Sequence, residues 1–181
     1  LIGHVRPTAV VVSIVAGLST ATLAALAGTY RIVRVMPNTP CLVGKGVSAI
    51  CRTPAVSDDA FQRVSGLLAA VGSVHAVDES LLDAVTGLSG SGPGYIAMVV
   101  ESLAAGGVAA GLPEPLAVAL ATETLAGTAA LLEQSGEHPA EIRRRVCSPG
   151  GTTLAGLAAM EQAGVAHGLA AGVVVARDRA R

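Results

Sequence analysis

TAVVVSIVAGLSTATLAALAGTYRIVRVMP, Thr8 to Pro37, is the stretch whose reading decides the fold class. Its first part, Thr8 to Gly17, begins as a continuous β-branched run, the pattern of a strand buried on both faces, and is expected to end in a small-residue turn. LSTATLAALAG then turns helical, with Ser19 or Thr20 as the N-cap and Gly28 as the C-terminal stop. YRIVRVMP reads as a second short strand, closed at Pro37 because proline has no N–H to give a ladder. Moving outward, VSAICR is a third strand and SDDAFQRVSGLLAAVG an amphipathic helix with Asp58 and Asp59 in its acidic first turn. SVHAV is a fourth strand. Strands alternating with helices indicate βαβ units, so residues 1–85 are expected to form part of a doubly wound α/β domain.

Beyond Val85 the apolar segments are long and rich in Ala and Gly, without β-branched runs bounded by turns, and they read as helices over residues 86–181. One is expected from Gly92 to Ala110, with Pro93 in its first turn, where a missing N–H costs nothing. Others start at Pro113 or Pro115 and end near Gln134, carry HPAEIRRRV, follow SPGG, and run from Val165 to Arg181. The segment YIAMVVESLAAGGVAAG is apolar almost all round, so its helix is expected to be buried centrally or at a subunit interface.

Composition narrows the function. The chain has 181 residues, 51% hydrophobic but only 2% aromatic, so its core must be built from Ala, Val and Leu in close element-to-element contact. A formal net charge of −1 provides no field to steer polyanions, and Arg143 to Arg145 form the tight basic cluster, which argues against nucleic-acid binding. Cys41, Cys51 and Cys147 are odd in number and lack CxxC spacing, as expected of thiols in a reducing cytoplasm rather than a disulfide framework or zinc ribbon. Mean hydropathy is +0.62, and Pro7 to Tyr30 carries no charge. Ser13, Gly17, Ser19, Thr20 and Thr22 interrupt that stretch and no Lys/Arg cluster flanks it, so no membrane span is expected there. The chain opens on Leu1 without a basic n-region, so no signal peptide is expected, and an opening residue other than methionine suggests a piece of a longer protein.

Generic catalytic motifs are absent. The glycines around Ser89 and Ser91 do not make GxSxG, Gly44-Lys45-Gly46 is not a P-loop, and no GxGxxG opens the strand-helix alternation. His4, His75, His138 and His167 are scattered, and no metal site is expected. SPGGTT, Ser148 to Thr153, carries positive chemistry: Gly150 and Gly151 let the backbone turn with N–H groups exposed just before a helix, an anion cradle to which Ser148 and Thr152 or Thr153 add hydroxyls. An ordinary capped loop fits the same residues. LSGSGPGY, Leu88 to Tyr95, is a second glycine-rich helix entrance open to close backbone approach. MPNTP, Met36 to Pro40, follows a strand C-terminus, where α/β sheets bind ligands, though it also describes a rigid turn.

In this order, VSIVAG, RVMPNTPCLVGKGVSAI, LLDAVTGLSGSGPGY, GLPEPLA and SGEHPAEIRRRVCSPGGTTLAGLAAMEQAG make the chain closely resemble the pyrroline-5-carboxylate reductases over nearly its whole length. The resemblance implies NADPH- or NADH-dependent reduction of 1-pyrroline-5-carboxylate to L-proline. It also implies a partial Rossmann-type domain over 1–85, without its GxGxxG part, followed by an all-α dimerisation and substrate domain over 86–181, in a homodimer that in many members assembles further. By the same resemblance Ser148, Gly150, Gly151, Thr152 and Thr153 hold the substrate carboxylate, with the Thr153 hydroxyl also close to the ring nitrogen as the catalytic position. Ile14, Val15 and Ala16 line the cofactor, Asn38 lies near the nicotinamide, and Glu79 aligns with an acidic residue near the cofactor. Gly94 stands where the family usually has alanine. The competing expectation is a non-catalytic dimerisation scaffold descended from such a reductase.

Overall fold

The computed structural model describes Arg6 and residues 8–180; Leu1, His4, Pro7 and Arg181, which enter the sequence reading, lie outside the described residues. By compactness the chain divides into two units, one reaching Pro93 and regaining the chain from Ala171, the other spanning Gly94–Ala170. This division lies a few residues beyond the boundary expected at Thr86 and assigns the C-terminal turns to the first unit.

The first unit holds a four-stranded sheet in the order β1 (Val11–Ser13), β2 (Ile32–Met36), β3 (Gly46–Arg52), β4 (Gly72–Ala76). Helix α1 (Thr20–Ala27) connects β1 to β2, and α2 (Asp58–Ala69) connects β3 to β4; both pairs run parallel, as right-sized crossovers allow. The β2–β3 pair is antiparallel, so the sheet is mixed. The physical reason is the connection: a 3₁₀ turn over Thr39–Val43, closed by Gly44 at φ 71°, is too short to carry the chain back for a parallel return.

The capping residues act as read. Ser19 Oγ accepts from the Thr22 N–H at 3.1 Å, Gly28 takes the left-handed C-terminal position at φ 67°, and Ser57 caps α2. Strand alternation divides the core. Val33, Val35 and Ile50 face α2 through Val56, Ala60 and Val64, whereas Ile32 packs against Leu23 and Ala24 of α1. On the α1 side, further along the strands, Ala49 and Cys51 meet Leu82 of a short helix α3 (Leu82–Val85). Full burial of side chains such as Val33, Val35, Ile50 and Leu82 is worth about 1.5–3 kcal/mol each.

Strand β1 departs from expectation. It is three residues long, and Val12, Ile14 and Val15 are 44%, 63% and 50% exposed rather than buried on both faces. Apolar sequence alone does not bury a strand; among the described residues β1 has β2 as its one registered neighbour, and its other edge has no strand beside it.

Helix α4 (Gly92–Ala109) begins in the first unit, and the second contains α5 (Glu114–Ser135), α6 (Pro139–Arg145) and α7 (Thr152–Gln162), with α8 (Val165–Ala180) returning to the first. In the second unit α4 and α5 meet through small residues, Ala104 against Ala117 and Ala121. A Cβ at Gly107 would come within 3.1 Å of the Ala117 methyl, so the glycine lets the two backbones approach. Central burial of α4 within the chain is not found: Ile96, Met98, Leu103 and Val108 are all more than two-fifths exposed. Helix α5 is long and apolar enough by composition to cross a membrane, and its buried residues are Ala117 and Ala121.

Candidate functional site

In the helical unit, SPGGTT forms a tight turn followed by a helix start. The Gly151 N–H donates to the Ser148 carbonyl at 2.9 Å, and Gly150 sits at φ 70°, where an L side chain is strained. A Cβ at Gly151 would lie 2.4 Å from Ser148 Oγ, so glycine is required there for a second reason, close approach. Gly151 is the N-cap of α7 and has no side chain to cap it. The first-turn N–H groups, those of Thr152 and Thr153 among them, thus have no intrahelical acceptor, and they face the positive end of an 11-residue helix. Both threonines and Ser148 are exposed. Such a helix start has the donors to receive an anion, with two or three hydroxyls beside them. The preceding helix α6 is capped by His138 Nδ1, which accepts from the Ala140 N–H, and Arg144 and Arg145 pair with Glu141 and Glu137 at 2.9 Å. The basic cluster is therefore largely neutralised locally.

In the sheet unit, Ile14, Val15 and Ala16 follow β1 directly and form an exposed ledge that turns at Gly17, φ 75°. Since β1 and β2 are parallel, their C-terminal ends share one edge of the sheet, and Asn38 follows β2 at that same edge. The Asn38 amide is already engaged. Its Oδ1 accepts the Val47 N–H at 2.8 Å and its Nδ2 donates to the Ser89 carbonyl at 3.2 Å, tying MPNTP to LSGSGP. LSGSGPGY does contain a helix start, at Gly92, and what leads into it is not a loop but a π-helical turn, Thr86–Gly90, that joins α3 almost directly to α4. Such turns cluster at functional sites.

Glu79 is engaged as well. Its carboxylate accepts the Thr20 N–H at 2.5 Å and the Thr20 hydroxyl at 2.6 Å, and Arg34 reaches it at 3.5 Å and Asp83 at 3.5 Å. Burial pushes the Glu79 carboxyl up, but the two Thr20 hydrogen bonds and the Arg34 charge outweigh it and hold it below the usual 4.5. A carboxyl lowered on folding adds stability above its unfolded pKa, lost as pH falls through the folded value. We therefore expect Glu79→Gln to be less stable than the parent at neutral pH and to lose less of its urea midpoint on acidification; parallel pH profiles would refute this. The neighbouring Cys51 thiol is pushed up to about 11, first by burial and then by the Glu79 charge, so it stays protonated and is no nucleophile.

A family model described as pyrroline-5-carboxylate reductase dimerisation matches residues 79–181, more than half of the chain. The chain belongs to the pyrroline-5-carboxylate reductase family. Among curated members, the pyrroline-5-carboxylate reductase of Synechocystis sp. is 48% identical over 90% of this chain and 60% of its own length. That of Pisum sativum is 44% identical over 94% of this chain and 62% of its own. The chain thus spans about three-fifths of the length of these curated relatives. A solved Plasmodium falciparum pyrroline carboxylate reductase, with NADP bound, shares 32% identity at a TM-score of 0.88, covering 94% of this chain and 69% of that one. A solved Streptococcus pyogenes 1-pyrroline-5-carboxylate reductase shares 33% at 0.89, covering 93% and 66%.

For a reductase family member, the described residues fit one end of a dinucleotide. The exposed Ile14–Val15 ledge and the rigid Asn38 turn can border a flat ring, whereas GxGxxG, which would hold the pyrophosphate, is not in the sequence. The polar atoms of Asn38 and Glu79 are hydrogen-bonded to Val47, Ser89 and Thr20, so both side chains brace the backbone around them. Sequence reading does not single out Arg34 or Ser89 as site residues, nor Thr20 as more than a cap. Arg34 left a signal: one arginine at the centre of an otherwise apolar strand, IVRVM, must find acidic partners once buried.

Proposed function

We propose that this chain carries the substrate-carboxylate site and the dimerisation surface of a pyrroline-5-carboxylate reductase, whose reaction is NAD(P)H-dependent reduction of 1-pyrroline-5-carboxylate to L-proline. The observation that carries the reading is the glycine-opened, uncapped N-terminus of α7. The N–H groups of Thr152 and Thr153 and the hydroxyls of Ser148 and Thr153 hold the carboxylate, while the Gly151 N–H, expected there by resemblance, is given to the Ser148 carbonyl. The Thr153 hydroxyl also lies toward the ring nitrogen. NADPH or NADH, when bound, supplies the hydride. The protein's task is then orientation of the imine, and no strong general acid is needed if the imine binds protonated. That agrees with a site of glycines and hydroxyls without His or Lys. Ile14, Val15 and Ala16 border the nicotinamide end, with Asn38 and Glu79 holding the surrounding backbone.

Homo-oligomerisation follows from the dimerisation family match and has a physical basis in the helices. Ile96, Met98, Leu103, Leu116, Val118 and Leu120 leave α4 and α5 with apolar faces that a second copy would cover. Assembly beyond a dimer belongs to the same proposal. A cytoplasmic location goes with it, supported by three free cysteines.

Thr153→Ala in the complete reductase is expected to lower kcat/KM by roughly five- to 150-fold, a cost of about 1–3 kcal/mol. Unchanged kinetics would remove the assignment. Assayed alone, these 181 residues should oxidise NAD(P)H weakly or not at all, since GxGxxG is not among them; full turnover would show that the pyrophosphate contacts are dispensable.

A further inference from the structure

Arg34 is 6% exposed, a charge in the middle of the sheet, and its position explains why it is tolerated. By strand alternation Ile32, Arg34 and Met36 share one face. Ile32 lies under α1 and Met36 packs beside Leu82 of α3, so Arg34 occupies the seam between α1 and the segment Glu79–Val85. Both of its acidic partners, Glu79 and Asp83, come from that segment. Glu79 in turn sits on the first N–H and the first hydroxyl of α1, those of Thr20, 59 residues away in sequence. A helix N-terminus is where a carboxylate is most favourable, and here the carboxylate comes from a distant segment of the chain rather than from a ligand or a local cap.

The consequence concerns the turn between β1 and α1. Its strand end is weakly held, because β1 registers over only three residues against β2 and has no second strand partner among the described residues. Its helix end is held by Ser19 and by Glu79. We infer that Glu79, itself oriented by Arg34, is a positioning residue: through Thr20 it sets the conformation of the Ile14–Leu18 turn that borders the cofactor. This rests on the reductase reading above, in which Ile14 to Ala16 line the nicotinamide end. Asp83 keeps Arg34 neutralised when Glu79 is changed, so a single substitution at Glu79 should not collapse the sheet.

The test combines amide exchange on this chain with kinetics of the complete reductase. In Glu79→Gln and in Thr20→Val, the amides of Thr20 to Leu23 should exchange about tenfold faster, the loss expected for one charge-assisted hydrogen bond, while those of β3 keep the parent's rates. Thr20→Ser, which retains both donors, should match the parent. In the reductase the KM for NAD(P)H should rise about tenfold in the first two variants with kcat within about twofold, the split of a lost uniform-binding contribution. Unchanged exchange in Glu79→Gln overturns the clamp. Faster exchange with an unchanged cofactor KM overturns its positioning role, and so does an equal loss in every kinetic constant alongside a lowered stability of the whole sheet. Absence of any NAD(P)H turnover in the parent reductase would instead sink the functional reading, leaving the clamp to be judged by exchange at Thr20.

Discussion

Gly72→Ala is expected to lower the urea midpoint of the sheet unit more than any other single methyl addition in the chain. Gly72 opens β4 opposite Gly46 in the parallel β3–β4 ladder, and its φ is 150°, where L side chains rarely go. A Cβ there would lie 1.9 Å from the Gly46 carbonyl oxygen and 2.5 Å from its nitrogen. Both opposing atoms are backbone in a registered ladder, so no rotamer change relieves the clash; β3 or β4 must move. Gly46 cannot yield easily, because its own Cα faces Cys41, whose Cβ would lie 2.8 Å from a Cβ at Gly46. Strain and lost pairing together place the cost at about 4 kcal/mol or more, the exceptional end of single substitutions. A midpoint indistinguishable from the parent's would refute the close approach.

The second large effect is expected at Gly87, in contrast to Gly90 three residues on. Both lie in the π-helical turn Thr86–Gly90. A methyl at Gly87 would meet the Val173 carbonyl oxygen at 2.5 Å and the Arg177 nitrogen at 2.8 Å, backbone atoms of α8 within the first unit. A methyl at Gly90 would meet the Met36 terminal methyl at 2.7 Å, the movable end of a flexible side chain. Gly87→Ala should therefore cost about 3 kcal/mol, at the upper end for overpacking, and Gly90→Ala about 1 kcal/mol or less. Thermal unfolding checks the pair: for a domain of this size the first should lower Tm by about 6–12 °C and the second by a few degrees. Equal shifts would mean that α8 does not pack on the turn as described.

These glycines show what could and could not be read from the chain. Gly28 was legible as a helix stop because a cap is local chemistry, set by residues within one turn of it. Gly72 and Gly87 were not, since their constraint comes from backbone 26 and 86 residues away, atoms that no local pattern announces. SPGGTT was legible as a turn before a helix for the same local reason, and the structure adds why both glycines are needed, one for its φ and one for Ser148 Oγ. Asn38 lay in a stretch marked by its place after a strand, whereas Glu79 stood out only through resemblance. Their hydrogen bonds, to Val47 and Ser89 in one case and Thr20 in the other, join segments that no local pattern pairs.

By itself the sequence determined the elements that local periodicity and capping dictate: α1, α2 and the five helices after Val85, the strands β2, β3 and β4, and the glycine turn ahead of α7. Tertiary structure alone decided how they combine. It set β3 antiparallel to β2, left β1 exposed, put a π turn ahead of α4, and brought Arg34, Glu79 and Thr20 together. The physical reason is one of range. Hydrogen bonding within a turn and side-chain periodicity act over a few residues and leave a trace in the order of the chain, whereas strand direction, buried ion pairs and close backbone approach depend on which distant segments end up side by side.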